Sequence, residues 1–187
     1  VDRTTDGTGE LRELTLAKVR QLDLGGSVRV PTLTETLTCA RDRCKLLLEL
    51  KDHEIGTQVV EAVEAAGMLQ DCTLISFDED NLRVARQTNS AAKIGFFHLE
   101  PKPIDLAKVV DDFAATLLVV WPRAAEPAVI NAAQEAGLQV RCGFADNMSF
   151  EESQEIFIRM ADMGIDEISC GRPDWIARMI EQYDPPS

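Results

Sequence analysis

Six short apolar runs, each followed by a stretch with helical spacing, constrain this chain more than anything else in it. The runs are 46–51 (LLLELK), 73–77 (TLISF), 93–97 (KIGFF), 117–121 (LLVVW), 138–144 (LQVRCGF) and 165–170 (IDEISC). Between them apolar residues recur three or four apart. Val59, Val60 and Val63 do so in 55–67, Val129, Ile130 and Ala133 in 126–137, and Phe150, Ile156, Phe157 and Met160 in 150–163. Trp175, Ile176, Met179, Ile180 and Tyr183 form a last stripe. Thr32 with Glu35 and Ser149 with Glu152 have capping-box spacing, Asp78 and Asp174 are placed to cap helices, and Gly67, Gly137 and Gly164 stand where helices should stop.

Strand and helix alternating at intervals of roughly 20–27 residues specify a parallel α/β architecture. An open doubly wound sheet uses about six strands, whereas a closed (β/α)₈ TIM barrel needs eight. The glycine-rich turn that opens the nucleotide-binding open sheet has only a poor counterpart in DGTGEL (6–11), which lacks the third glycine and follows no strand. Residues 1–31 do not fit the repeat and read as a loop or insertion lobe, with a short helix over 15–21 and a Gly25-Gly26 turn. The expectation is one domain over 1–187, with the six α/β units in 32–187.

The first run poses a chemical question. Side chains alternate faces along a strand, so Leu47, Glu49 and Lys51 share one face and Leu46, Leu48 and Leu50 the other. The all-leucine face belongs against helices, which puts Glu49 and Lys51 inside, at the C-terminal end where such barrels carry their chemistry. An unpaired charge there is costly. Either the two neutralise each other, or Glu49 holds a cation and Lys51 meets an anion.

Charge narrows the partners. The chain carries a net −13 with no basic cluster, which argues against a nucleic-acid phosphate backbone as partner. An anionic substrate therefore needs a local cation. No apolar run approaches the length of a membrane span, and a cytoplasmic protein is the expectation. Five cysteines without a C-x-x-C pair argue against both a disulfide framework and a zinc knuckle; Cys142 and Cys170 read as small buried hydrophobes.

Taken in order, VDRTTDGTG, VPTLTETL, LLLELK, SFDEDNL and GIDEISCGRPD resemble the signatures of the glycerophosphodiester phosphodiesterase family, over residue 1 to about 176. The resemblance implies a (β/α)₈ barrel that hydrolyses glycerophosphodiesters to an alcohol and glycerol 3-phosphate with a divalent cation, Mg²⁺ or Ca²⁺. By similarity Glu49 is a metal ligand and Lys51 contacts the phosphate, in keeping with the preference of hard cations for carboxylate oxygen.

The likeness also implies absences. The family's H-R-G strand end, its Glu-x-Asp pair and its His-Asp step before R-T-T have no counterpart here, and they carry the two acid–base histidines and two metal carboxylates. The expectation is a barrel lacking its first two strands, inactive by itself, with open edges through which copies could associate. The alternative is a non-catalytic relative that binds a phosphate ligand. The family's seventh-strand Trp and last-strand T-D are replaced within VRCGFADN and SCGRPD, leaving Phe144 as a candidate aromatic surface and Arg172 as a candidate phosphate contact or surface ion pair. His53 and His98 stand near strand ends but off the family pattern. Asp78, Glu79 and Asp80 read as a helix start; Asp146 and Asn147 follow a strand at the rim.

Overall fold

The computed structural model describes residues 1–144 and 147–184. Its strands are β1 (Leu46–Glu49), β2 (Cys72–Ile75), β3 (Lys93–His98), β4 (Leu117–Val120), β5 (Gln139–Gly143) and β6 (Glu167–Ser169). All neighbouring pairs are parallel and the spatial order is the chain order, β1 to β6. A doubly wound sheet reverses its order at a switch point. This one does not, so the open-sheet alternative is excluded. The strands form a curled, incomplete wall of the TIM-barrel kind, with flanking helices. Among the described residues β1 and β6 each have one ladder partner.

The helices are α1 (Leu16–Val19), α2 (Leu33–Ala40), α3 (Gly56–Ala65), α4 (Glu79–Thr88), α5 (Leu106–Phe113), α6 (Pro127–Glu135), α7 (Phe150–Asp162) and α8 (Pro173–Gln182). A 3-10 turn at Leu11–Glu13 precedes α1 in the N-terminal lobe. Both capping boxes form as expected at Thr32 and Ser149, and Asp78 accepts the Asp80 amide as cap of α4. Asp174 is a correction. Pro173 opens α8, Arg172 is its N-cap residue without a side-chain cap, and Asp174 lies in the first turn.

Alternation along the strands sorts the core into two layers. Leu74, Ile94, Leu118, Val120, Val140 and Cys142 pack with Val60, Leu82, Ala85, Phe113, Ile130 and Met160 of the helices. Ile75, Leu117 and Val119 cluster on the inner face with Leu47 and Phe97. Leu46 and Leu48 pack against Leu37, Val63 and Met68, so the leucine face of β1 meets helices as its pattern requires. Gly95 lets the inner layer close: a Cβ there would stand 2.6 Å from Ile75 Cγ2. All five cysteines are free. Cys72 and Cys142 are buried, with burial pushing the Cys142 thiol up to about 12, whereas Cys170 is only half-buried and Cys39 and Cys44 are exposed.

Candidate functional site

The ends of β1 and β2 are tied together by a serine. Leu50 donates its amide to the Ile75 carbonyl at 2.8 Å. Ser76 Oγ donates to the Leu50 carbonyl at 2.7 Å and accepts the Asp78 amide at 3.0 Å. The register Glu49↔Ile75 then sets the loop after β1 beside the loop after β2. Between them opens a recess of about 510 Å³ lined by Glu49, Leu50, Lys51, His53, Ser76, Phe77 and Asp78. That size falls within the usual range of small-molecule pockets.

Glu49 and Lys51 meet there, with Lys51 Nζ 3.0 Å from Glu49 Oε2. The lysine side chain is 76% exposed and the glutamate 30%. A pair so wet is worth at most about 1 kcal/mol, so it can be exchanged for another partner at little cost. Phe77 stands 67% exposed on the same side, and its ring stacks on Phe97 with centroids 4.2 Å apart and planes 8° from parallel. The recess thus combines an ammonium, a carboxylate less exposed than it, and an apolar floor.

A second pair lines the recess. His53 Nδ1 lies 2.7 Å from Asp78 Oδ2. The hydrogen bond to Asp78 raises the His53 pKa, the charges of Asp78 and Asp52 add to it, and Arg12 of the N-terminal lobe opposes. The same bond holds the Asp78 carboxyl below the usual range. Sequence reasoning placed Asp78 as a cap and missed this contact. The two residues are 25 apart, and no periodicity links them.

Asn81 of α4 holds the His53 loop in place. Its Oδ1 accepts the amides of Ile55 and Gly56 at 3.1 and 3.2 Å, capping α3 from another helix. Its Nδ2 donates to the Asp52 carbonyl at 2.7 Å. The chain needs this external cap because the N-cap residue of α3 is Ile55, which has no side-chain acceptor.

The remaining candidates lie elsewhere. His98 shares its strand face with Ile94 and Phe96, is 5% exposed, and has its pKa lowered by that burial; it faces the helical layer instead of the mouth. Phe144, on the register face of Val140 and Cys142, is 6% exposed and is not part of the recess that holds Glu49. Arg172 is an exposed partner of Asp174, at 2.9 and 2.6 Å, with its guanidinium 4.2 Å above the Trp175 ring. Asp146 lies outside the described residues, and Asn147 is exposed in a turn. At the opposite end of the strands a smaller recess of about 120 Å³ holds Lys45, Asp71, Lys93 and the Arg141–Glu167 pair.

A divalent cation would require several converging oxygens. Glu49 offers one carboxylate, compensated by Lys51, and Asp78 is engaged by His53. Among the described residues no group of three or more His, Cys, Asp or Glu side chains is placed to hold a metal. These residues alone do not fit a resident Mg²⁺ or Ca²⁺.

Known proteins resemble this chain in sequence and shape. The model of the Glycerophosphoryl diester phosphodiesterase family matches residues 1–174. The protein YhdW of Bacillus subtilis (strain 168), provisionally named a glycerophosphodiester phosphodiesterase, is 36% identical over 70 residues, 34% of this chain. That match spans 29% of YhdW's own length, less than a third of it. A glycerophosphodiester phosphodiesterase structure from Agrobacterium tumefaciens str. C58 superposes with TM-score 0.78 at 24% identity, covering 95% of this chain and 77% of that one. A glycerophosphoryl diester phosphodiesterase from Parabacteroides distasonis ATCC 8503 gives 0.79 at 22% identity, covering 100% and 70%. An Oleispira antarctica phosphodiesterase, solved with the product sn-glycerol-3-phosphate, gives 0.80 at 19%, covering 97% and 76%. At these identities the structures establish the fold.

Proposed function

The chain belongs to the glycerophosphoryl diester phosphodiesterase family, and on that premise we propose that its recess binds the phosphate of a glycerophosphodiester for hydrolysis to an alcohol and glycerol 3-phosphate. The observation that carries this reading is the Glu49–Lys51 pair at the C-terminal rim, beside the exposed face of Phe77. The Lys51 ammonium would exchange Glu49 for a phosphate oxygen, a trade between weak exposed contacts. Phe77 would lie under the carbons of the glycerol or the alcohol. Glu49 would hold Lys51 at the rim while the recess is empty.

The cation enters the proposal only as far as Glu49 does. Its carboxylate would give one oxygen to Mg²⁺ or Ca²⁺, and among the described residues no group of three or more His, Cys, Asp or Glu side chains completes a site, so no step is routed through a metal. The lack of a converging ligand group among the described residues favours a second reading, in which the phosphate ligand is bound without turnover. We propose self-association through the edges of β1 and β6, each with one ladder partner among the described residues, on the same footing, to be tested by sedimentation velocity.

The test follows release of sn-glycerol 3-phosphate from a panel of glycerophosphodiesters, with Mg²⁺, with Ca²⁺ and with chelator, beside calorimetry with the product. Turnover that falls at least tenfold in Glu49→Gln, and a KM raised severalfold in Lys51→Met, are the expected results. Product binding without turnover would select the second reading. Unchanged kinetics in both variants would remove the pair from the site.

A further inference from the structure

The two ion pairs of the recess share a polarity. In each, the carboxylate is the more buried member and the cation the more exposed one. Glu49 is 30% exposed beneath Lys51 at 76%, and Asp78 is 28% exposed beneath His53 at 80%. An anion entering from solvent therefore meets an ammonium and an imidazole that is cationic when protonated, each backed by its own carboxylate. In a chain of net charge −13, that is a specific local arrangement.

From this geometry we propose that His53 is a second phosphate-binding side chain of the recess and that Asp78 positions it, an inference that rests on the glycerophosphodiester reading above. With Nδ1 engaged by Asp78, the imidazole presents Nε2 on its opposite edge as the donor to a phosphate oxygen. The support beneath it is rigid. Asp78 is held through its own amide by Ser76 Oγ and through Oδ1 by the Asp80 amide. Asn81 ties the His53 loop at Asp52, Ile55 and Gly56. Glu54, next to His53, takes φ 60°, a left-handed conformation that costs a non-glycine residue free energy and persists only where the surroundings impose it. The charged groups around His53 are Asp78 from the start of α4, Asp52 in its own loop, Arg12 from the N-terminal lobe, and the Glu49–Lys51 pair lining the same recess. The raised pKa of His53 favours the doubly protonated ring that donates from both nitrogens.

The chain contains two histidines, and the other, His98, is buried in the helical layer, so it serves as an internal reference. Imidazole Cε1–H resonances are followed at pH 6 during titration with sn-glycerol 3-phosphate and, separately, inorganic phosphate. The expected result is a saturable shift of the His53 signal with His98 still. His53→Gln should weaken binding about 5- to 10-fold, the loss of one charge-assisted hydrogen bond at an exposed site. Asp78→Asn retains a capping side chain for α4 and should lower the His53 titration midpoint, which a merely structural role would not do. A motionless His53 signal with binding lost in Lys51→Met would overturn this proposal and leave the phosphodiester reading standing. No binding of either ligand by the parent chain would overturn both. An unchanged midpoint in Asp78→Asn would remove Asp78 from its positioning role.

Discussion

Replacing Asn81 by alanine should unfold the protein more readily than the loss of one small polar side chain suggests. The residue is 2% exposed and makes hydrogen bonds of 3.1, 3.2 and 2.7 Å to three backbone groups. Each such bond contributes about 1 kcal/mol net, and a buried group left unpaired costs about 1–3 kcal/mol more. The Ile55 and Gly56 amides have no local cap to fall back on, although water reaches the half-exposed end of the loop and recovers part of the loss. The sum is about 3 kcal/mol, or a melting temperature lower by about 6–12 °C in a domain of this size. Equilibrium urea unfolding, read by the fluorescence of Trp121 and Trp175, measures it. Asn81→Asp is the informative control. It keeps an acceptor for both amides, loses the donor to Asp52, and brings a carboxylate close to Asp78 Oδ2, now 3.5 Å from Asn81 Nδ2. Its deficit should shrink as pH falls and the new carboxyl protonates. An alanine variant within about 0.5 kcal/mol of the parent would refute the reasoning, because it would mean that the loop holds its shape without the buried amide.

Two other perturbations probe the same corner. Gly56→Ala would place a Cβ 2.6 Å from the Asn81 carbonyl oxygen and 3.4 Å from the Ala85 amide nitrogen, so α3 and α4 must separate. Despite a gain in helix propensity, smaller at this first helical position than the about 1 kcal/mol of a helix interior, the variant should be destabilised by about 1–3 kcal/mol in thermal unfolding, and any net stabilisation would contradict the contact. The His53–Asp78 pair should give stability a pH signature. Asp78, held low, contributes above the ordinary carboxylate value of 3.8 and loses that contribution as pH falls through its depressed pKa. His53, held high, contributes fully below 6.5 and loses that contribution as pH rises through its raised pKa. The pair therefore acts fully between these ordinary values, and the stability gap between parent and Asp78→Asn should narrow from pH 6 to pH 9; a gap independent of pH would show that the pair is not coupled to folding.

Much of the architecture was legible in the chain because the signals that specify it are short-ranged. Strand positions followed from apolar runs, the capping boxes from Thr32–Glu35 and Ser149–Glu152, and helix ends from glycines that adopt positive φ at 67, 137 and 164. The two faces of LLLELK were readable from alternation alone, and the structure sets Leu46 and Leu48 against helices and Leu47 on the inner face. The same alternation, applied to Ile94-Phe96-His98, carried the signal that His98 turns toward the helices. Asp174 could not be judged as a cap without knowing that Pro173 begins the helix.

What the amino-acid order determined by itself was the succession of strands and helices, the face each strand turns inward, and the family to which the chain belongs. What only tertiary structure decided was the company of His53. Its bond to Asp78 spans 25 residues and its loop is anchored by Asn81 from the next helix. Those contacts exist because β1 and β2 pair in one register, Glu49 beside Ile75, which brings two separate loops to the same rim. Periodicity reports which side of its own element a residue occupies; which residue of another element stands opposite depends on the free energy of packing the whole wall, and no local pattern encodes it.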